Sequence, residues 1–256
     1  MTDDAPILEF DEDRNAIIEP SFLHDPIDGV PNGAVMTWMS DAFAEMMTAH
    51  ESTVVHSFTT ETADFEIHQV ELDVGPVIAV LSHVGAPVSA LLYECLVAIG
   101  CRTVVGVGSS GGLVREHPPG TIVVPDAIIR DEGVSFHYAP AARHAHPDPG
   151  IQTALRDGYA AEDLGTVTGD LWTTDALFRE TSKRVADRVA EGAIAVDMEA
   201  AALATIGRFR GIRHGHAVYM ADTLFGDEWD RTQFVHRDTA FRLRLLLTAA
   251  RVAAQN

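Results

Sequence analysis

Short apolar runs alternate with amphipathic segments along most of the chain. Apolar runs of strand length bounded by Gly or Pro predict buried strands, and apolar residues at helical spacing predict helices between them. The predicted strands are 15–19, 54–58, 65–72, 77–81, 103–107, 121–125, 166–168, 193–196 and 216–220, and the predicted helices are 34–50, 87–99, 151–164, 175–190, 199–209 and 231–253. This alternation indicates βαβ units and therefore an α/β fold with a mixed, largely parallel central sheet.

The pattern continues without a repeat, a linker or a shift in composition. We therefore expect one domain over residues 15–256, preceded by an acidic lead-in over residues 1–14. No apolar run approaches the length of a membrane span, and the N-terminus lacks the apolar core of a secretory leader. These features predict a cytoplasmic protein with no membrane partner.

The charge of the chain narrows the range of partners. A formal net charge of −20, with Lys183 as the only lysine, argues against binding to nucleic acid or to an anionic membrane. Cys95 and Cys101 are too few for a disulfide scaffold, and their apolar surroundings predict buried free thiols.

Two acidic residues follow a predicted buried strand. Asp197 and Glu199 stand where the strand 193–196 gives way to an Ala-rich helix, and open α/β sheets bind ligands at the carboxyl ends of their strands. Acids at the start of a helix also complement its dipole. From these residues alone, a ligand site and a structural role are both open.

A Gly-rich segment follows another predicted strand. Residues 106–112 read GVGSSGG, and glycines at such a turn let backbone N–H groups approach an anion or a sugar closely. The spacing matches neither a dinucleotide fingerprint nor a phosphate-binding P-loop. A structural turn and a binding turn are again both open.

Taken together, the motifs resemble the nucleoside phosphorylase superfamily, which includes uridine phosphorylases, hexameric purine nucleoside phosphorylases and methylthioadenosine nucleosidases. They occur in the order SHVGAP (82–87), GVGSSGGL (106–113), IRDEGVSFHYAP (129–140), VTGDLW (167–172), AVDMEAAAL (195–203) and ADTLFGD (221–227). The resemblance implies one α/β domain with a partly closed sheet flanked by helices, a homo-oligomer (a dimer or a trimer of dimers), and a small-molecule nucleoside substrate. It implies no cofactor and no metal.

The resemblance assigns roles to the matching sugar-binding residues. Met198 and Glu199 fall on the pair that binds ribose, and an ionised carboxylate can accept two ribose hydroxyl donors. Such a carboxylate would also stabilise positive charge developing on the sugar. Asp197 falls where the nucleosidases carry a Glu, so a substrate contact for it is an expectation only. His137 matches a loop residue near the ribose or the subunit interface.

The resemblance also assigns the base pocket. Trp172 matches an aromatic that stacks on the base, with an ordinary core Trp as the alternative. Asp222 matches the acid that protonates purine N7, which would make it the general acid for a leaving purine. Uridine phosphorylases lack this Asp and read uracil with a Gln and an Arg after the aromatic, where this chain has residues 173–177, TTDAL. A purine-like base is therefore expected.

The phosphate pocket departs from the phosphorylase pattern. The residues matched to the phosphate loop are Glu19 and its neighbours, without Gly or Arg, and Gly106 stands where a second Arg is expected. Ser109 remains at a matched position, and Gly111 belongs to the same binding turn. The third position falls near residues 63–65, ADF, again without Arg. Three missing guanidinium groups would remove most charge-assisted contacts to a phosphate dianion. Glu19, or less plausibly His83, is a candidate to activate water.

The sequence therefore predicts an enzyme that cleaves the N-glycosidic bond of a nucleoside, by hydrolysis in preference to phosphorolysis. One alternative is a phosphorylase whose phosphate ligands are Arg130, Arg14 or a residue of a partner subunit. A second alternative is a non-catalytic nucleoside-binding protein.

Overall fold

A computed structural model describes residues 5–225, 229 and 238–256, and strands dominate the centre of the molecule. Within these residues one mixed sheet contains twelve strands. The strands are β1 (Gly33–Thr37), β2 (Ser52–Thr59), β3 (Asp64–Leu72), β4 (Gly75–Leu81), β5 (Thr103–Gly112), β6 (Ile122–Val123), β7 (Ile128–Asp131), β8 (His144–Ala145), β9 (Thr166–Val167), β10 (Asp170–Thr174), β11 (Ala193–Asp197) and β12 (Arg213–Thr223).

Six α-helices lie in the described ranges. They are α1 (Ser40–Ala49), α2 (Ala86–Ile99), α3 (Pro149–Ala161), α4 (Ser182–Ala190), α5 (Ala200–Arg210) and α6 (Thr239–Gln255). Apolar side chains of α1, α3 and α6, among them Phe43, Leu155 and Leu246, form one core cluster with the sheet. Leu92 of α2 and Leu203 of α5 belong to a second cluster. The predicted mixed sheet flanked by helices is confirmed.

Strand β5 is the branch point of the sheet. The main path runs β2-β3-β4-β1-β5-β11-β10-β7-β8, and β12 leaves it by pairing with β5 and β6. Strand β5 is parallel to β1 and β12 but antiparallel to β11. Gly111 of β5 is paired with Val196 of β11 and with Asp222 of β12. Three chain segments that are remote in sequence therefore meet at one point.

The first strand of the sheet differs from the prediction. Residues 15–19 form no strand, and Ile17 is 96% exposed. The strand is instead Gly33–Thr37, all five residues of which are buried between β4 and β5. A continuous apolar run fits both a buried strand and a helix, and here the two neighbouring strands decide in favour of the strand.

Other elements also differ from the prediction. Strands β7 and β10 lie outside the predicted strands and helices, and they are four and five residues long. The predicted helix 175–190 begins only at Ser182, after Thr181 caps it by accepting a hydrogen bond from the Arg184 N–H. Positions 231–237 of the last predicted helix lie outside the described residues, and α6 begins at Thr239 after the Asp238 cap.

The helices of the described ranges were also compared with the dimensions of a lipid bilayer. None of them is both long enough and apolar enough to span it.

The close approach of β1 and α6 gives a testable prediction for the fold. A Cβ atom on Gly33 would clash with the backbone carbonyl of Ala253, and backbone cannot move aside as a flexible side chain can. We expect Gly33→Ala to lower the free energy of unfolding by about 1–3 kcal/mol, measured by urea denaturation. Gly165→Ala is the matched control, since a Cβ there meets nothing within 4 Å, and it should change stability by no more than about 1 kcal/mol. Equal effects of the two substitutions would contradict this account.

Candidate active site

A pocket opens where β5, β11 and β12 meet. Its walls come from the end of β5 (Gly108–Gly111), the turn after β11 (Val196–Glu199) and the end of β12. Trp38, Val84, Leu177 and Glu180 complete much of the rim. The cavity volume is about 290 Å³, near the lower end of the range of small-molecule sites. The pocket therefore lies at strand ends, as expected for a ligand site in an α/β sheet.

Glu199 is a buried carboxylate on the pocket wall. It is 7% exposed, and the backbone N–H of Gly85 donates a hydrogen bond of 2.5 Å to its Oε1. Burial, and secondarily the nearby Asp197 carboxylate, raises the pKa of Glu199 above its ordinary value. Met198 lines the pocket beside it. The pair assigned to ribose therefore borders the cavity.

Asp197 holds the turn between β11 and α5. Thr173 Oγ1 donates to its Oδ1 at 2.6 Å, and the N–H groups of Glu199 and Ala200 donate to its Oδ2 at 3.3 and 2.8 Å. The carboxylate is 5% exposed, and burial raises its pKa. Although Asp197 borders the pocket, both its oxygens are engaged by the protein. These hydrogen bonds position the turn, and the substrate contact of Asp197 stays a prediction.

Asp222 and Glu180 form an acidic end of the pocket. Trp229 Nε1 donates a hydrogen bond of 2.5 Å to Asp222 Oδ2. Burial, and then the nearby Asp222, raises the pKa of Glu180 to about 7. Glu180 was not among the predicted site residues. It follows a 3-10 turn over Leu177–Arg179, and its sequence neighbourhood carries no pattern that marks it.

The Gly-rich segment is a pocket wall as well as a strand end. Ser109 and Gly111, both predicted to bind substrate, line the cavity. A Cβ on Gly111 would clash with Leu224 and lie 3.1 Å from Val196 Cγ1. The glycine is therefore needed for the close packing of β5 against its neighbours. The side chains that the segment contributes to the lining are those of Ser109 and Ser110, and Ser110 Oγ donates to the Tyr219 carbonyl.

Trp38 and His216 fill the space beside Gly106 and Gly108. A Cβ on Gly106 would lie 2.5 Å from His216 Nδ1, and one on Gly108 would lie 3.0 Å from Trp38 Cε3. Trp38 is held by Nε1–H donation to the His83 carbonyl and to Ser89 Oγ, both at 3.1 Å. Neither aromatic was predicted. Assigning β1 to 33–37 would have placed Trp38 at a strand end and marked it as a candidate.

Trp172 lies in the core and not on the pocket wall. Its side chain is fully buried with Leu113, Ile129 and Val185, and its Nε1 donates to Asp131 Oδ2 at 3.0 Å. The predicted stacking role for Trp172 is therefore corrected. Successive strand residues point to opposite faces, and it is the next residue, Thr173, that faces Asp197.

Other candidates lie away from the pocket. Glu19, Arg14 and His137 line a different surface cavity, where Glu19 pairs with Arg210 at 3.8 Å. The assignment of Glu19 as a water-activating base is thus corrected, because residues 15–19 are not the strand that leads to the pocket. His137 borders no part of the pocket in this chain. His83 packs against Phe65 with ring centroids 4.9 Å apart.

The Arg130 guanidinium forms its hydrogen bonds within its own loop. It donates to Ser135 Oγ and to the carbonyls of Ser135, Ala139 and Pro140. These acceptors belong to its own loop, so Arg130 holds the loop in shape. Neither it nor Arg14 supplies the predicted alternative phosphate site.

The pocket is acidic. Four carboxyl groups, those of Glu180, Asp197, Glu199 and Asp222, line it, and its described lining includes no Lys or Arg. His216 is the only imidazole of that lining, and burial lowers its pKa to about 3, which keeps it neutral. The described walls therefore favour hydroxyl, amide and amine donors over an anion.

Comparison with known proteins identifies a phosphorylase family model and nucleoside phosphorylase relatives. The family model described as "Phosphorylase superfamily" matches residues 34–251. A uridine phosphorylase of Treponema pallidum is 30% identical over 194 residues, which cover 69% of this chain and 73% of the relative. A guanosine phosphorylase of Halorubrum lacusprofundi is 29% identical over 132 residues, covering 52% and 55%.

The fold is likewise similar to that of a solved structure. A uridine phosphorylase from Vibrio fischeri ES114 superposes with a TM-score of 0.75 at 18% sequence identity, covering 91% of this chain and 95% of that one. At this identity the similarity shows the fold alone.

The buried carboxyl of Glu199 gives a prediction for pH-dependent stability. Because its pKa is raised in the folded state, the folded protein binds this proton more tightly than the unfolded chain does. Its contribution to the free energy of unfolding therefore falls as pH rises above about 4.5, the ordinary value, through the raised pKa. We expect Glu199→Gln to gain thermal stability relative to the wild type as pH is raised from 4.5 to 9, measured by calorimetry.

Glu45→Gln, at an exposed position of α1, is the control for removing one carboxylate. It should not reproduce the pH-dependent gain. If Glu199→Gln and the wild type keep a constant difference in melting temperature across this range, the buried, proton-retaining state of Glu199 is wrong.

Proposed function

We propose that this chain, which belongs to the phosphorylase superfamily, cleaves the N-glycosidic bond of a nucleoside in the pocket at the ends of β5, β11 and β12. Family membership confirms the resemblance seen in the sequence and identifies the chain as an enzyme. The observation that carries the proposal is the position of Glu199, a buried carboxyl on the pocket wall beside Met198 and opposite the Gly-rich end of β5.

In this proposal Glu199 binds the sugar. Its Oε1 is fixed by the Gly85 N–H, which leaves acceptor positions for ribose hydroxyls. Cleavage of the glycosidic bond builds positive charge on the sugar, and a carboxylate in a water-poor pocket stabilises that charge more strongly than one in water. Met198 supplies apolar contact to the ring.

Asp222 is proposed to protonate or hydrogen-bond the leaving base. It lines the same pocket as Glu199, and its Oδ2 accepts from Trp229, which orients the carboxyl. Glu180 beside it adds a second acid. Two carboxyls suit the donor-rich edge of a purine, and the name of the guanosine phosphorylase relative supports a purine. The uridine phosphorylase names support a pyrimidine instead.

Two acceptors for the sugar are candidates. The names of the relatives favour phosphate over water, so phosphorolysis, the alternative in the sequence analysis, stands first. Its phosphate ligands would have to include cationic groups outside the described lining. Arg231 and Arg237 lie outside the described residues, and a partner subunit is another source.

Hydrolysis is the second candidate, and a specific observation favours it. The pocket carries four carboxyl groups, and Trp38 and His216 occupy the space beside Gly106, where the resemblance expects a phosphate-binding Arg. Like charges disfavour a dianion in a partly buried site, whereas neutral water has no such penalty.

A homo-oligomer remains part of the proposal. Phe22 and Leu91 expose 71% and 51% of their surface, and the turn Pro20–Phe22 packs against α2, which carries Leu91. Exposed apolar residues that lie together are typical of association surfaces.

The acceptor can be identified by product analysis. Guanosine, inosine, adenosine and uridine are incubated with the protein in phosphate-free buffer and in buffer with phosphate, and base and sugar products are quantified. Base release that needs phosphate and yields ribose 1-phosphate supports phosphorolysis. Base release without phosphate, with free ribose, supports hydrolysis. Binding without turnover would contradict cleavage and leave the non-catalytic alternative.

Replacing the ionisable carboxyl of Glu199 should strongly lower whichever activity is found. We expect Glu199→Gln to lower kcat/KM by about 10²–10³-fold, the typical effect of removing one transition-state contact of this kind. Glu61→Gln, at an exposed position, is the matched control and should retain wild-type rates. Near-normal activity of Glu199→Gln would refute the sugar-binding role.

The general acid can be tested with the leaving group. Asp222→Asn should lower kcat/KM for its best purine nucleoside by about 10²–10⁴-fold. A riboside of 4-nitrophenol leaves as a stable anion without protonation, so the variant should cleave it at close to the wild-type rate. An equal loss on both substrates would mean that Asp222 supports the structure of the pocket and is not the acid.

A further inference from the structure

Three side chains of types that bind metals lie close together outside the pocket. His24 follows the 3-10 turn Pro20–Phe22, His56 lies on β2, and Cys95 lies on α2. One ligand atom from each lies within 4.8 Å of the others, and His24 Nδ1 is 3.0 Å from His56 Nε2. None of the three lines the nucleoside pocket.

The environment of His24 favours the neutral imidazole, which is the form that binds metals. His24 is 5% exposed, and its ring packs edge-on against Phe58 at a centroid distance of 4.8 Å. Burial, and then the neighbouring His56, lowers the pKa of His24. A neutral imidazole has a free lone pair on one ring nitrogen. His24 Nδ1 and His56 Nε2 are hydrogen-bonded, so one of the two rings donates. That ring would have to move its proton to its other nitrogen before both lone pairs can bind a cation.

Cys95 supplies a buried thiol as the third candidate ligand. It is fully buried and forms no disulfide, and burial raises its pKa to about 12. The thiol is therefore protonated and unreactive toward ordinary electrophiles at neutral pH. A bound cation would reverse this, because a coordinated thiol is deprotonated outright.

We propose that His24, His56 and Cys95 bind one divalent ion of the zinc class, with water as the fourth ligand. Two imidazoles and a thiolate are the donor set of borderline-soft metals, and zinc sites of this composition are tetrahedral. With metal–nitrogen bonds of about 2.0–2.1 Å and a metal–sulfur bond of about 2.3 Å, the ligand atoms of a tetrahedron lie roughly 3.3–3.7 Å apart. The two imidazole nitrogens, 3.0 Å apart, would move slightly apart, and the thiol sulfur lies within 4.8 Å of both.

The site also has an entry path. His24 and Phe58 line a surface cavity together with Leu91 and Glu94. This cavity gives an ion access to His24 and leaves room for the fourth ligand. Binding releases the Cys95 proton to solvent and forms the metal–sulfur bond, with no change in oxidation state. The bound ion would join the segment before β1 to β2 and α2.

Cobalt substitution tests the ligand set. The full-length protein is stripped with a chelator, and Co²⁺ is titrated while its absorption is followed. We expect saturation at one equivalent, with a thiolate-to-cobalt charge-transfer band in the near ultraviolet and the intense visible bands of four-coordinate Co²⁺. Zn²⁺ should displace the cobalt and raise the melting temperature. Absence of stoichiometric binding to the wild type would overturn the proposal.

Variants locate the site. Cys95→Ser should remove the charge-transfer band and weaken Zn²⁺ binding by about tenfold or more, since loss of an outer partner alone typically costs that much. Cys101→Ser, which removes the other buried thiol, is the matched control and should keep the band. A band that survives in Cys95→Ser or disappears in Cys101→Ser would refute the assignment.

A second pair of variants tests the site if Cys95→Ser does not fold. His56→Gln changes a half-buried position on β2 and should weaken Zn²⁺ binding to a similar degree. His68→Gln, on the adjacent strand β3, should bind as the wild type does. Equal affinity of the two variants would contradict a role for His56. Because nucleoside cleavage is not measured, these results are independent of the proposed function.

Discussion

The buried carboxylate of Asp197 holds together the elements that build the pocket. It accepts hydrogen bonds from Thr173 on β10 and from two N–H groups at the start of α5, and its Oδ2 lies 3.6 Å from His216 Nε2 on β12. An unpaired carboxylate at this depth would be strongly unfavourable, so the surrounding donors and the turn geometry depend on each other. Glu199, two residues further on, receives its position from this arrangement.

Much of the site could be predicted because its residues stand at strand ends. Predicted strand ends drew attention to the turn after 193–196 and to the Gly-rich segment 106–112, whereas Asp222 was assigned by the family resemblance. The register of β5, β11 and β12 brings the three together. The rule that α/β sheets bind ligands at the carboxyl ends of strands needs only strand assignments, but by itself it left a structural role for both segments open.

The errors arose where tertiary structure decides between equal local patterns. Residues 33–37 read equally well as strand or helix, and burial between β4 and β5 selects the strand. Because the first strand is 33–37 and not 15–19, the residue that follows its end is Trp38 and not one near Glu19. Trp172 was wrongly given to the pocket because the face toward which a strand residue points depends on register. Glu180 follows a 3-10 turn, which no hydrophobic periodicity in the sequence predicts.

The mutual fit of Gly106, Trp38 and His216 also constrains how this chain can change. Any side chain at 106 meets His216 before it reaches the pocket, and Trp38 lies beyond it at 3.5 Å from the same Cβ position. An arginine there would be harmful until both aromatics had become smaller, while shrinking them first would leave a void. The three positions are therefore epistatic. Introduction of an arginine at position 106 by single substitutions would therefore pass through poorly packed intermediates.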